Sequence, residues 1–463
     1  MKIETSSAAL LGSSAEVRAL ASELYLEVRD LPIVSPHGHV NPELLLKNEP
    51  FANPAELLLF FDHYVTRLLH AGGVDLAQIR DSETSDPKVA WQLLCDNWHL
   101  LAGTASSYWL SHELSSLFAL DEPLSSENGS ETYEHIDALL KSQEFLPRAL
   151  FERFRIELLA TTDDPCDDLA AHAALAQDPS FNGRVIPTFR PDVYLDPRTA
   201  GWAANVSRLT SLVGTSLTYQ GFIEALESRR AFFRLNGAVS ADHGVFEPYT
   251  ISLSQQSAEE IFYKALLGTA SEAEVRDFAG HMLVESARMS TEDGLVMTLH
   301  AGVRRNHSTQ TFEEFGPDSG HDIPVRCEFT QNLRPLLEKY GLNKNLTLIL
   351  FSLDESNWGR EIAPLAGFYP SVRIGAPWWF LDAPDSAMRF RESVTETAGF
   401  YRGSGFIDDT RAFLSIPARH DMARRVDSTF LARLVLEGRL TREQASKIAF
   451  DLVVTIPKEA FKL

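Results

Sequence analysis

LPIVSPHGHV, residues 31–40, runs from mostly apolar residues through Ser-Pro into His-Gly-His. If the apolar stretch is a strand, side chains two apart share a face, so His37 and His39 present both imidazoles together at its carboxyl end. The pair is not telling by itself. With 14 histidines in 463 residues, roughly 0.4 such pairs arise by chance. The remainder of the chain has to decide whether this is half of a metal site.

Seven further apolar runs end the same way, in a polar or glycine cluster. They are ELLATTDDP (157–165), RVIPTFRPD (184–192), GAVSADHG (237–244), LVMTLHAG (295–302), LTLILFSLD (346–354), VRIGAPWW (372–379) and GFIDDTR (405–411). The spacers between most of them, such as residues 257–289, are rich in Ala, Leu, Glu, Arg and Lys and read as helices. Eight strands alternating with helices predict an α/β protein, a (β/α)8 TIM-type barrel, whose chemistry sits at the carboxyl ends of the strands. The weakest strand is 237–244, and an open doubly wound sheet gives a similar alternation.

Residues 40–150 break the rhythm. They include WQLLCDNWHLLAGTASSYWLSHELSSLFAL (91–120), dense in Leu and Trp with no β-branched run. This predicts a helical insertion after the first strand, a cap over the barrel mouth. The expected organisation is therefore residues 1–39 (an N-terminal helix from Ala15, capped by Ser14, and the first strand), the insertion at 40–150, and the remaining barrel at 151–463.

The bulk properties narrow the function. A net charge of −22 opposes binding to nucleic acid or an anionic membrane, while local arginines can still hold a small anion. Cys95, Cys166 and Cys327 are few, odd in number and far apart, which points to a reducing compartment, the cytoplasm. Glu4 and the lack of a sustained apolar run in MKIETSSAALLGSSAEVRALASELY (1–25) argue against a signal peptide, and no segment reaches membrane-spanning length. Partners reduce to a small-molecule substrate and, at most, further copies of the chain.

Catalytic zinc-type sites use about three N/O ligands and leave a position open. His37 and His39 supply two. Asp409 is the best third, because the last strand of a closed barrel lies beside the first; His300 is a further candidate. Arg190 and Arg411, at strand ends, can each grip a carboxylate through two parallel hydrogen bonds, or else form structural pairs with Asp192 and Asp409. In DHY (62–64), His63 and Tyr64 offer a proton donor or acceptor. One of Trp378 and Trp379 would face inward and wall off a sugar ring or carbon chain. Asp163 and Asp164 read as strand-end caps. There is no GxGxxG, Walker A, GxSxG or cysteine cluster.

In this order the pieces resemble the uronate isomerase (glucuronate isomerase) family of the amidohydrolase superfamily. The resemblance rests on HGHVNP (37–42), DHYVTR (62–67), SSYWLSHEL (106–114), TTDDP (161–165), FRPD (189–192), SADH (240–243), LHAGVRRN (299–306), PWWF (377–380) and DDTRAFLS with RHDMARR (408–425). It implies an aldose–ketose isomerase that converts D-glucuronate to D-fructuronate and D-galacturonate to D-tagaturonate. It also implies one divalent metal, zinc first, on His37, His39 and Asp409. Catalytic roles fall on Tyr64, Asp409, Arg411 and His63, and substrate contacts on Arg190, Arg411, Trp378, Trp379 and His300. Departures from the family pattern at Ser35-Pro36, Val65-Thr66 and Leu353–Ser356 predict altered substrate-facing groups. The alternatives are a metal-dependent hydrolase or decarboxylase on the same scaffold, and a non-catalytic sugar-acid binding protein, which would need neither metal ligands nor an acid/base pair.

Overall fold

The computed structural model describes residues 9–80 and 85–463; Glu4, on which the reading of the N-terminus partly rests, lies outside them. Among the described residues nine strands form: β1 Ile33–Ser35, β2 Ile156–Ala160, β3 Arg184–Ile186, β4 Ser240–Val245, β5 Val296–Ala301, β6 Val303–Arg304, β7 Ile323–Pro324, β8 Leu348–Ser352 and β9 Val372–Ile374. Parallel pairing gives two arcs, β1-β2-β3 and β4-β5-β8-β9, while β6 and β7 make a small antiparallel ladder outside them.

Backbone hydrogen bonds join the arcs into a ring. β3 stops at Ile186 because Pro187 has no N–H to donate. Pairing resumes at Phe189, whose N–H donates to Ser240 O at 3.2 Å and whose carbonyl accepts from Asp242 N at 2.9 Å. On the far side the Ser404 N–H donates to Ile374 O of β9 at 2.9 Å, and the His39 N–H donates to Thr410 O at 3.0 Å. The segment 403–411 thus fills the eighth position without being a regular strand. Left-handed backbone at Gly405 (φ 76°) and Asp409 (φ 40°) interrupts its ladder. The fold is a (β/α)8 barrel, seven of whose eight predicted runs are strands. The doubtful run at 237–244 carries one of the two longest, β4.

Between residues 40 and 150 the described residues form helices and no strand. Their core is continuous with the barrel rather than separate. Leu58, Trp91, Leu94, Ile136 and Leu150 pack in one cluster with Ile33 of β1, Leu159 of β2 and Phe413. The N-terminal helix spans Ala15–Val28, and the Ser14 hydroxyl accepts from Val17 N, as an N-cap should. It packs against Ile416–Leu436, with Tyr25 donating to Asp421. No helix among the described residues is long and apolar enough to cross a membrane. All three cysteines are unpaired.

One buried carboxyl lies where the insertion meets the barrel. Burial pushes Glu113 up to about 8, helped by the charge of Asp62 and opposed by Arg419. The folded chain therefore holds a proton that the unfolded chain, at its ordinary value of 4.5, releases. Between those values the folded state binds more protons, so stability should fall as pH rises, by up to ~1.4 kcal/mol per pH unit. Glu113→Gln, which copies the protonated carboxyl, is expected to lose that slope when urea unfolding is followed from pH 5 to 8. An unchanged slope would show that Glu113 does not hold the proton.

Candidate active site

The carboxyl ends of the barrel strands open into a cavity of about 630 Å³. His37 and His39 lie just beyond β1, on irregular backbone fixed by the His39 N–H bond to Thr410. Asp409 enters from the eighth position. Its Oδ1 is 2.9 Å from His39 Nε2 and 3.4 Å from His37 Nε2, so the adjacency of last and first runs brings all three together. Asp409 holds its left-handed φ as a non-glycine residue, the kind of local strain that clusters at functional sites.

The electrostatics favour a charged carboxylate here. Burial would raise the Asp409 carboxyl, but the charges and contacts of His37 and His39 hold it well below the usual range. Burial pulls both histidines down. For His37, Asp242 and Asp409 reverse the effect and the net shift is upward; for His39 burial prevails. Asp409 Oδ1 is buried and makes no well-formed hydrogen bond. Three donors within 4.8 Å of one another and an unsatisfied buried oxygen suit a bound cation.

Asp242, within β4, is the main residue that sequence reasoning did not single out. Its Oδ1 accepts from His300 Nδ1 at 2.6 Å, and Oδ2 lies 4.0 Å from His37 Nε2 and 3.5 Å from Arg190 Nε. Burial opposes its ionisation, but His300, His37 and Arg190 together hold it well below the ordinary value. His300 stacks on His37 at 4.8 Å and presents a buried Nε2 with no hydrogen-bond partner. His37, Asp242 and His300 thus form a second cluster whose ligand-type atoms converge. The available signal was SADH at the end of the fourth run, which carried little weight because that strand was the weakest.

The arginines divide. Arg190 faces the cavity and pairs with Asp192 at 2.9 Å as well as with Asp242. Gly244 is needed beside this pair: its N–H donates to Asp192 at 2.8 Å, and a Cβ there would lie 2.7 Å from Asp192 Oδ2. Arg411 also lines the cavity, but its partner is Asp318 at 3.3 Å rather than the expected Asp409, because Asp409 turns toward the histidines. Arg305 lies over the Trp379 ring at 4.7 Å and Arg419 over Trp109 at 3.6 Å; both line the cavity, and neither was anticipated. Arg419 is fully buried and pairs with Asp382 at 2.6 Å.

His63 and Tyr64 open the helix His63–Ala71, whose N-cap, Asp62, accepts from Tyr64 N and Val65 N. Burial, reinforced by Arg411, brings His63 down to about 4, so it is neutral at pH 7. Burial raises Tyr64, and the charge of Arg419, 5.2 Å from the ring, works against that rise. The tryptophans correct an expectation. They follow β9 rather than lie on it, and a φ of 52° at Trp379 breaks strand alternation, so both side chains line the cavity. Trp378 packs edge-on to His300 at 4.7 Å.

Other expectations fall away from the cavity. Asp163 accepts from Thr161 Oγ1 and Thr188 N, and Asp164 from Tyr194, Arg208 and Cys166 N, so both tie loops. Ser35, Pro36, Val65, Thr66 and Leu353–Ser356 are all absent from the cavity wall. Val65 and Thr66 sit on the helix face turned into the core. The departures from the family pattern therefore lie off the cavity wall.

Fold and site together define a barrel enzyme with a His-His-Asp metal-type centre at the carboxyl ends of its strands. The family model described as glucuronate isomerase matches residues 14–461. A uronate isomerase of Corynebacterium efficiens is 48% identical over 458 residues, covering 98% of each chain. The crystal structure of glucuronate isomerase from Caulobacter crescentus superposes with a TM-score of 0.97 at 42% identity, covering 100% of this chain and 98% of that one. That of uronate isomerase from Thermotoga maritima gives 0.94 at 28% identity, covering 99% of both. The chain belongs to the glucuronate isomerase family and is a hexuronate isomerase. These relatives give the hydrolase alternative no support.

Proposed function

We propose that the chain interconverts D-glucuronate with D-fructuronate and D-galacturonate with D-tagaturonate in the cytoplasm, with residues 40–150 serving as a cap that brings His63 and Tyr64 over the barrel. The observation that carries this reading is the convergence of His37, His39, Asp409, Tyr64 and Arg190 on one cavity. Moving the carbonyl from C1 to C2 removes a proton from C2 and returns one to C1, while a proton passes from O2 to O1. The C2 hydrogen is weakly acidic, so the site must hold a base near it and stabilise charge on the oxygens. One divalent ion, zinc first, held by His37, His39 and Asp409, would supply Lewis-acid polarisation of those oxygens.

Each neighbouring group then has a role. Tyr64 and Asp409 carry protons between the two carbons. His63, held neutral, can both accept and donate to a sugar hydroxyl. Arg190 and Arg411 grip the carboxylate, and Trp378 and Trp379 exclude water from the carbon chain, with His300 beside them. The negative net charge does not oppose this, because exposed charges beyond about 8 Å are screened.

Incubating purified protein with D-glucuronate and D-galacturonate in D2O, followed by proton NMR, tests the reading. Ketose signals are expected, and deuterium at C1 would mark proton transfer with solvent exchange. Hydrolysis of an amide or lactone without turnover of either hexuronate would overturn it. Arg190→Met should lower kcat/KM by ~10–100-fold, the worth of a charged hydrogen bond lost to the substrate. Wild-type kcat/KM in that variant would remove Arg190 from the carboxylate-binding role.

A further inference from the structure

Thr162 follows β2 and does not line the cavity, yet it reaches the metal-type centre from behind. Its Oγ1 makes a short hydrogen bond with His39 Nδ1, the ring nitrogen that faces away from Asp409. The same hydroxyl donates to the Gly38 carbonyl at 3.1 Å. A hydroxyl has one proton and two lone pairs. With its proton committed to Gly38, it can only accept from Nδ1.

That direction has a consequence for the other side of the ring. If Nδ1 carries the hydrogen, neutral His39 has its lone pair on Nε2, the atom 2.9 Å from Asp409. A metal ligand needs that tautomer, and a partner on the distal nitrogen both selects it and fixes the ring plane. His37 has no such support. Its Nδ1 is buried without a hydrogen-bond partner among the described residues, and its ring is placed instead by stacking on His300. The two histidines of the pair are therefore held by different means.

We propose that Thr162 is a positioning residue that fixes His39 in the metal-binding tautomer and orientation through the relay Gly38 carbonyl, Thr162 hydroxyl, His39 Nδ1. This rests on the divalent-metal reading above. It assigns a function to the second threonine of TTDDP that the cavity wall does not reveal. Thr162→Ser keeps the relay, whereas Thr162→Val keeps the shape and removes the hydroxyl.

Zinc affinity of the wild type and both variants, measured by competition with a chromophoric chelator, tests this, with the Tm of each metal-free protein taken alongside. Thr162→Val is expected to bind zinc ~10–100-fold more weakly with a metal-free Tm close to wild type. Thr162→Ser should stay within about threefold of wild type, since the relay is intact. Wild-type affinity in Thr162→Val overturns the proposal. So does an equal loss in Thr162→Ser, which would locate the effect in methyl packing, or a loss in Thr162→Val matched by a collapsed metal-free Tm. Failure of the wild type itself to bind zinc would overturn the underlying metal reading instead, and the proposal with it.

Discussion

Tyr64→Phe is expected to lower kcat by ~10²–10⁴-fold, the range for losing a positioned acid/base group, with a much smaller change in KM. The argument rests on what the substitution leaves alone. The Tyr64 ring meets Trp109 edge-on at 5.5 Å, stacks with His63 at 4.8 Å and lies 5.2 Å from the Arg419 guanidinium. Phenylalanine keeps all three ring contacts, so the packing around residue 64 should be unchanged and only the proton carrier is lost. Steady-state kinetics on D-glucuronate, with near-UV circular dichroism as a control on packing, gives the answer. A kcat within threefold of wild type would assign proton transfer elsewhere.

Asp409→Asn should be at least as damaging. Two imidazoles converge on Asp409 Oδ1, and their charges and contacts keep the carboxyl ionised against the pull of burial. An amide has nearly the same volume but no charge, and one of its two ends is a donor. Metal affinity is expected to fall by more than ~100-fold, since even outer partners of metal ligands are worth 10–100-fold, and kcat/KM should fall with it. The metal-free protein should stay folded, because His37 retains Asp242 nearby. Chelator competition and kcat/KM measured across a range of added zinc separate the two effects. If affinity drops and activity does not, Asp409 is a ligand without a chemical role; if neither changes, the His-His-Asp centre is not a metal site.

Arg419 shows how far the contact between residues 40–150 and the barrel depends on buried charge. Its guanidinium lies between Asp382 and the rings of Trp109 and Tyr64, and burial raises Asp382 to about 7 with Arg419 opposing that rise. Such an arrangement costs desolvation and is held together only by close pairing. The sequence offers no local sign of it, because Arg419, Asp382 and Trp109 belong to three distant segments.

Seven of the eight apolar runs became strands because a strand buried on both faces must be apolar throughout, and that requirement is written locally. The same holds for the helices of residues 40–150, for the Ser14 cap, and for the pairing of His37 and His39 with Asp409, which follows once a barrel places its last run beside its first. Other features depended on where the chain is in space. Asp242 joined the site because its side chain, from the middle of β4, reaches His37 beyond β1 and His300 on β5. Trp378 and Trp379 face the same cavity because one left-handed residue breaks the alternation, and Arg411 pairs with Asp318 from a loop nearly a hundred positions away. Residues at 35–36, 65–66 and 353–356 were expected to face the substrate because they depart from the family pattern, yet none of them lines the cavity. Periodicity encodes which side chains are buried; which buried polar groups meet is settled only by closure of the ring, through contacts between residues far apart in the chain.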